Sequence, residues 1–186
     1  MKKYELTNEI IEIYGIKLVR IKALIDFADI KAGELGGYIE KENNLCQNGN
    51  AWVYGNAKVY GNAEVNGNAW VSRNAWVYGD AKVYGDAKVY GNAKVNGNAE
   101  VNGNAEVCGD AEVYGDADYA TAKGFGRAYR TSTFFRTKDN DIAVKCGCFY
   151  GILGEFRSKV KETHGESKTA KEYLMLADLM EYRFSS

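Results

Sequence analysis

The feature that most constrains this chain is a six-residue phrase, G-N/D-A-x-V-x, which repeats twelve times without insertion between Gly49 and Ala120. Apolar residues at a spacing of six fit neither an α-helix nor a coiled-coil heptad. Within each unit, Ala and Val are two residues apart, so a short strand would carry both on one face. Gly followed by Asn or Asp is typical of a corner, because these residues tolerate positive φ. Each unit therefore predicts a short strand and a turn that stack on copies of themselves.

Three such sides close a coil of eighteen residues, so the twelve units predict four coils. The pattern resembles the hexapeptide-repeat left-handed parallel β-helix, and we predict a mainly β fold of that kind. A right-handed calcium-binding roll is the alternative, but it needs nine-residue Gly-Asp units, and the sequence has none.

The outward position between Ala and Val tests this register. If each coil has eighteen residues, three columns of side chains stack: Glu64, Lys82, Glu100 and Asp118; Lys58, Trp76, Lys94 and Glu112; Trp52, Trp70, Lys88 and Glu106. Opposite charges and lysine–indole neighbours then follow each other along the columns, as stacked strands favour. The columns favour three sides per coil.

Residues 1–48 predict an N-terminal β-hairpin cap and an irregular first coil. Two apolar runs flank Tyr14-Gly15 and read as strands about a tight turn. The segment between the hairpin and the array follows the six-residue frame with fewer matching residues. In this frame we expect Ile39 and Leu45 in alanine positions. A solenoid needs such an end, because an open coil leaves backbone groups unpaired.

Residues 121–186 lack the period and predict a small α+β domain that caps the other end of the 49–120 rod. A strand, a turn and a second strand precede a short helix over 153–163. Ser167 is typical of a helix N-cap. The second helix carries one apolar stripe, formed by Tyr173, Leu176, Ala177, Met180 and Phe184.

The net charge and the distribution of apolar residues limit the partners that the chain can bind. The net charge of −1 gives no general attraction to duplex nucleic acid or to an anionic membrane. The first residues lack the apolar run of a signal peptide, and no segment is long and apolar enough to span a bilayer. We therefore predict a cytoplasmic protein without a membrane partner.

With these parts in place, the sequence resembles a phage- and prophage-encoded β-helix family. The resemblance rests on V-R-I-K-A-L-I-D-F-A-D-I-K-A-G-E-L-G-G-Y-I-E, on the G-N-A-x-V array, and on C-G-C-F-Y-G with E-T-H-G. It implies a small homo-oligomer, most simply a homotrimer, in the host cytoplasm during infection or prophage expression. It brings no catalytic residues, and Arg73 departs from the repeat where the other corners have glycine.

The three tryptophans, Trp52, Trp70 and Trp76, occupy outward positions on two adjacent sides. Contiguous exposed aromatic residues usually mark an interface. One interpretation is a contact between subunits of a trimer. The other is a ligand cleft at that contact, where indoles stack on a base and a cation faces phosphate. The candidate ligand-binding residues are Trp52, Trp70, Trp76, Arg73, Lys88, Tyr54 and Tyr90.

Other candidate sites have structural explanations. The basic hairpin with Arg127, Arg130, Arg136, Lys138 and Lys145 could hold an anion or single-stranded nucleic acid, but a capping sheet with Phe134 and Phe135 against the rod is the favoured interpretation. His164, the one histidine, reads as a helix-end residue. Cys146 and Cys148 lack the second pair that a zinc site would need, so we predict neither metal nor cofactor.

Three functions remain open from the sequence. The favoured one is a non-catalytic protein that binds and sequesters a small anionic ligand between subunits, such as a cyclic nucleotide used as a defence messenger, as the resemblance implies. The second is a structural, assembly or protein-interaction module of a phage. The third is a hexapeptide acyltransferase, which we disfavour because the array has no histidine and no looped-out insertion.

Overall fold

The computed structural model describes residues 1–126 and 128–185. At the N-terminus, strands β1 (Tyr4–Ile13) and β2 (Ile16–Ala23) form an antiparallel hairpin, and β3 (Leu35–Ile39) pairs with β2. The tight turn falls at Tyr14 and Gly15, which both have positive φ. The predicted hairpin is confirmed.

The repeat array forms eleven strands of two residues, each one residue shorter than the Ala-x-Val strand that the sequence predicts. They are β4 (Trp52–Val53), β5 (Lys58–Val59), β6 (Glu64–Val65), β7 (Trp70–Val71), β8 (Trp76–Val77), β9 (Lys82–Val83), β10 (Lys88–Val89), β11 (Lys94–Val95), β12 (Glu100–Val101), β13 (Glu106–Val107) and β14 (Glu112–Val113). The strands stack in parallel on three faces, in the orders β4-β7-β10-β13, β5-β8-β11-β14 and β6-β9-β12. The predicted solenoid is confirmed.

The eighteen-residue register is also confirmed. Trp70 pairs with Lys88, and Lys94 pairs with Glu112, in parallel ladders. Every Ala and Val of the repeat from Ala51 to Val113 is at most 1% exposed, so both positions point into the rod. The corners take the left-handed backbone conformation expected of glycine, as Gly85 does with φ 71°. Arg73 takes the same conformation with φ 61°, so the departure from the repeat leaves the corner unchanged.

The first coil is longer than predicted. Ile39 pairs with Val59 and Leu45 bridges Val65, so both lie in valine positions, twenty residues before their partners. The expected alanine positions are therefore wrong. The two extra residues lie between Leu45 and β4, where the Gln47 carboxamide binds the backbone of Tyr4.

The N-terminal segment closes each face of the rod with a different donor. The Lys3 ammonium, the Tyr38 amide and the Asn44 carboxamide donate to the carbonyls of Ala51, Ala57 and Ala63, at 2.8, 2.9 and 2.9 Å respectively. Backbone acceptors at a solenoid end need such partners. Unpaired backbone groups cost free energy when they are buried, and when they are exposed they can pair with strands of another chain.

The rod ends one unit earlier than the sequence suggests. Tyr119, in the twelfth valine position, begins strand β15 (Tyr119–Phe125) of the next sheet, and its half-buried side chain still packs against the core of the rod. An antiparallel sheet follows, with β16 (Arg130–Arg136), β17 (Ile142–Cys146) and β18 (Phe149–Ile152). A turn at Gly147 divides β17 from β18, so the second of the two predicted strands is a pair of antiparallel strands in the structure.

Two helices complete the chain, α1 (Leu153–His164) and α2 (Lys168–Phe184). The hydroxyl of Ser167 accepts a hydrogen bond from the amide of Ala170 at 3.2 Å, which confirms the predicted N-cap. The predicted stripe of α2 packs on the sheet, with Tyr173 half-buried and the other four residues buried.

The sheet separates two cores. Phe135 and Ala143 extend the core of the rod, whereas Phe134 and Val144 pack beneath the helices. Successive strand residues face opposite sides, so two neighbouring phenylalanines serve two different cores. The expectation that both phenylalanines pack against the rod is therefore wrong for Phe134. Within the described residues, no helix is both long and apolar enough to cross a lipid bilayer.

Candidate functional site

The predicted ligand-binding residues begin on the face formed by β4, β7, β10 and β13. Trp52, Trp70, Lys88 and Glu106 stack there in the predicted order. The ammonium of Lys88 lies 5.6 Å from the ring centroid of Trp70, within the range of a cation–π interaction. This column is therefore a continuous row of side chains along one face of the rod.

Trp52 is fully buried, unlike the exposed indole that the sequence suggests. The rings of Tyr4 and Phe27 lie over it, with centroid distances of 6.1 and 5.3 Å. Its indole nitrogen is buried and has no hydrogen-bond partner among the described residues. The N-terminal segment folds over the start of this face and covers Trp52.

Trp76 lies on the next face and is half-buried. Tyr14 and Tyr60 contact its ring edge-on, at 6.3 and 6.2 Å, and the ammonium of Lys58 lies 5.3 Å from its centroid. It belongs to a small apolar cluster with Leu18 of the hairpin. Trp52 and Trp76 thus contact the N-terminal segment of their own chain.

The five remaining candidates lie close together along one edge of the rod. The ring of Tyr54 lies 5.4 Å from that of Trp70, the indole that Lys88 also contacts. The guanidinium of Arg73 lies 5.8 Å from the ring of Tyr90. The structure therefore forms two groups of contacts along this edge, one of Tyr54, Trp70 and Lys88 and one of Arg73 and Tyr90. Trp52 is the neighbour of Trp70 in the same column but is covered by the N-terminal segment, and Trp76 lies on the next face.

Tyr90 connects this edge to Glu106. Its hydroxyl donates to the Glu106 carboxylate at 3.2 Å. Burial, followed by the hydrogen bond to Cys108, raises the pKa of Tyr90, and burial also raises the pKa of the Cys108 thiol. Both groups therefore stay protonated at neutral pH.

Glu106 also lines a cleft between the last coil and the C-terminal sheet. This basic cleft has a volume of about 460 Å³, and its charged lining residues are Glu106, Lys123, Arg130 and Lys145. Lys123 and Arg130 are exposed, and neither forms an ion pair within the described chain. Lys145 lies 3.8 Å from the Glu106 carboxylate, which Lys88 also approaches at 3.9 Å. Three cations against one shared carboxylate make this cleft attractive to an anion.

One turn sets the position of two of these cations. The ammonium of Lys145 donates to the carbonyl of Gly147 at 2.6 Å. The guanidinium of Arg130 lies against Gly147, since a Cβ on that glycine would be 2.8 Å from Nη1 of Arg130. Gly147 itself has φ 59°, a conformation that favours glycine. The turn therefore places a lysine and an arginine side by side.

A second cavity adjoins the basic cleft. This aromatic compartment has a volume of about 550 Å³, and its lining includes Phe149, Phe156, Tyr173, His164 and Cys146. Arg130 and Gly147 line both cavities. The imidazole of His164 stacks on the ring of Tyr173 at 6.0 Å, and Phe156 meets that ring edge-on at 5.8 Å.

The polar atoms of the aromatic compartment are partly engaged. The thiol of Cys146 donates weakly to the hydroxyl of Tyr173 at 3.9 Å, and that hydroxyl donates to the carbonyl of Phe125 at 3.4 Å. Burial raises the pKa of Tyr173 to about 12, so the phenol is neutral under physiological conditions. Within the described residues, no group of three or more metal-ligating side chains is present.

The basic residues of the hairpin predicted from the sequence lie in different parts of the structure. Arg130 and Lys145 line the basic cleft, whereas Arg136 pairs with Asp118 at 3.3 Å and Lys138 approaches Asp139. Arg127 lies outside the described residues. His164 does end α1, as expected, but it also lines the aromatic compartment.

Sequence reasoning missed Lys123 as a site residue. It lies on β15, next to β16 with Arg130, which in turn pairs with β17 carrying Lys145. The three basic residues within nine positions of A-K-G-F-G-R-A-Y-R were the available signal.

Comparison with known proteins gives one short similarity. No family model matches the sequence. A stretch of 40 residues is 45% identical to the uncharacterized acetyltransferase YdcK of Escherichia coli (strain K12). The stretch covers 22% of this chain and 12% of that protein, so this chain matches only a small part of its relative.

This similarity corrects one prediction. We expected that the chain is not an enzyme, with no catalytic residues, yet the matched protein is described as an acetyltransferase. The match is short, but it points towards an enzyme. Together with the stacked coils, it supports a relationship with repeat β-helix proteins of the hexapeptide type.

Proposed function

We propose that this protein binds a small anionic ligand, with a phosphate group of the ligand in the basic cleft. The observation that carries the proposal is the convergence of Lys123, Arg130 and Lys145 on one concavity with a single carboxylate. Charge-assisted hydrogen bonds from lysine and arginine are the usual means of holding phosphate. The volume of about 460 Å³ falls in the range of roughly 300–1,000 Å³ that small-molecule sites occupy.

The candidate edge of the rod extends this site. The row from Trp70 through Lys88 leads to Glu106, which lines the cleft. Arg73 and Lys88 add positive charge along the approach, and Tyr54 and Tyr90 add aromatic surface. In a homotrimer, which the family resemblance implies, this edge would face a neighbouring copy and enclose the ligand further. Native mass spectrometry tests the trimer, and a monomeric mass would remove that part of the proposal.

A cyclic nucleotide is the ligand class that the resemblance implies. On this proposal the protein acts in the host cytoplasm during infection or prophage expression, where it captures a defence messenger. A rigid cleft favours such capture, because little conformational entropy is lost on binding.

The test is isothermal titration calorimetry of the purified protein with a panel of cyclic mono- and dinucleotides, acetyl-CoA and inorganic pyrophosphate. We expect binding in the micromolar range or tighter, weakened by salt because the contacts are charged. Lys123→Ala and Arg130→Ala should each weaken binding about tenfold or more, as expected for loss of a charged hydrogen bond.

Lys82→Ala is the matched control. Lys82 is an exposed lysine on a different face of the rod, so its loss should leave affinity within about twofold. If no member of the panel binds, or if the three variants weaken binding equally, the basic cleft is not the binding site.

Acetyl transfer is the second candidate function, and the similarity to YdcK favours it. Acetyl-CoA is itself an anionic nucleotide, so it would use the same basic cleft. Release of free CoA thiol in the presence of amine or hydroxyl acceptors measures this activity. Release that is abolished by Arg130→Ala and retained in Lys82→Ala would support transfer at the cleft, whereas the absence of release above the rate without protein would count against it.

A further inference from the structure

We propose that the aromatic compartment holds the base of the ligand whose phosphate lies in the basic cleft, so that the ligand is a nucleotide bound across both cavities. This inference rests on the proposed function. It assigns a second binding site, at the C-terminal end of the chain and away from the tryptophans of the rod.

The basic cleft and the aromatic compartment are continuous with each other. Arg130 and Gly147 line both, so the guanidinium stands at the boundary between a cationic region and an apolar one. A nucleotide has the same division, with a charged phosphate at one end and a planar aromatic base at the other. Arginine is suited to this boundary, because its planar cation binds phosphate and also stacks on aromatic rings.

The aromatic compartment contains rings on which a base can stack. Tyr173 is half-buried and stacks on His164 with an interplanar angle of 29°, while Phe149 lies 5.5 Å from Phe156. Aromatic side chains of this kind bind bases through their π-faces with little dependence on base identity. A compartment of about 550 Å³ holds a purine with room for ordered water.

Polar groups in the same compartment favour a base over an acyl chain. The Tyr173 hydroxyl, the His164 imidazole and the Thr163 hydroxyl belong to the lining residues and offer hydrogen-bond donors and acceptors. An acyl chain would remove water from such groups without replacing its hydrogen bonds, which is unfavourable. A base satisfies them through its ring nitrogens and exocyclic groups.

The experiment compares affinity for a nucleotide, AMP, with affinity for inorganic pyrophosphate, which has charge and no base. We expect AMP to bind the wild-type protein at least about tenfold more tightly, as expected for stacking of one base. Thr163→Trp places a bulky ring at an exposed position of α1 that lines the compartment, and it should remove that advantage without changing the affinity for pyrophosphate.

Ser158→Trp is the control. Ser158 is an exposed hydroxyl residue on the same helix, and its substitution should preserve the tenfold advantage of AMP. A second measurement is the proton NMR spectrum of bound AMP, in which stacking on aromatic rings should shift the base protons upfield in the wild type and not in Thr163→Trp.

The outcomes separate the two proposals. If pyrophosphate and AMP bind the wild-type protein equally, the compartment does not hold the base, although the basic cleft still binds phosphate. The inference is also wrong if the advantage of AMP survives Thr163→Trp with the upfield shift intact. If neither compound nor any nucleotide of the panel binds, the proposed function itself fails.

Discussion

The ammonium of Lys94 lies 2.8 Å from the carboxylate of Glu112, one coil later on the same face. This hydrogen bond is the main cause that lowers the pKa of Glu112. The other two faces repeat the relationship between the same two coils, with Lys82 near Glu100 at 3.7 Å and Lys88 near Glu106 at 3.9 Å. A ring of lysines therefore stacks on a ring of glutamates around the rod.

These outward pairs should contribute little to stability individually. We expect Lys94→Ala to lower the free energy of unfolding by ~0.5 kcal/mol, because the pair is partly exposed and screened by solvent. Urea denaturation of Lys94→Ala, Glu112→Ala and the double variant measures the coupling. A coupling energy of several kcal/mol would contradict this estimate.

The inward positions should behave differently. Val89 is fully buried in the rod, so Val89→Asp places an unpaired carboxylate in the apolar core. We expect a loss of several kcal/mol, enough to unfold the protein. Thermal melting followed by circular dichroism compares it with Lys94→Ala, and equal melting temperatures for the two variants would show that the assignment of inward and outward positions is wrong.

Two glycine corners offer a matched pair. A Cβ on Gly91 would lie 2.8 Å from the backbone nitrogen of Gly109, whereas a Cβ on Gly103 would meet nothing within 4 Å, and both have positive φ. Gly103→Ala should cost ~1 kcal/mol from backbone strain alone. Gly91→Ala should cost ~1–3 kcal/mol more, because neither backbone can yield without moving a coil. Urea denaturation measures both, and equal losses would show that the contact with the next coil has no energetic role.

Lys3 should make stability depend on alkaline pH. Its side chain is buried against the rod, and burial lowers the pKa to about 8 from the usual value of 10.5. Between these values the unfolded chain binds more protons than the folded one, so the free energy of unfolding rises with pH. We expect a rise of ~1–3 kcal/mol, which begins near pH 8 and continues towards pH 10.

Lys3→Met isolates this effect, because it keeps the length of the side chain and removes the titrating group. Urea denaturation at intervals between pH 7 and 9.5 should give a flatter profile for the variant than for the wild type. Parallel profiles would assign the pH dependence to other groups. Measurements stay below pH 10, where the unfolded tyrosines begin to ionise and destabilise the folded state.

The rod could be predicted from the sequence because every six-residue unit has the same short strand and the same corner. Val89 and its equivalents fix the inward face, and the column from Trp70 to Glu106 fixes the coil length, since both patterns depend on strand alternation and corner glycines. The start of α2 was equally local, because the Ser167 cap lies next to the turn that it stabilises.

The contacts between the rod and its ends could not be predicted in this way. Nothing in the repeat indicates that Tyr4 and Phe27 cover Trp52, because the path of the N-terminal segment depends on tertiary packing. The basic cleft also depends on tertiary packing. Lys123 and Lys145 are distant in sequence and become neighbours only through the order of strands in the C-terminal sheet.

The three donors that close the first coil have a consequence for assembly. Lys3, Tyr38 and Asn44 already occupy the alanine carbonyls at which another rod would have to continue the ladder. Because these three acceptors are taken, a second copy cannot continue the ladder through them. The N-terminal segment thereby opposes the growth of stacked copies into a filament from this end.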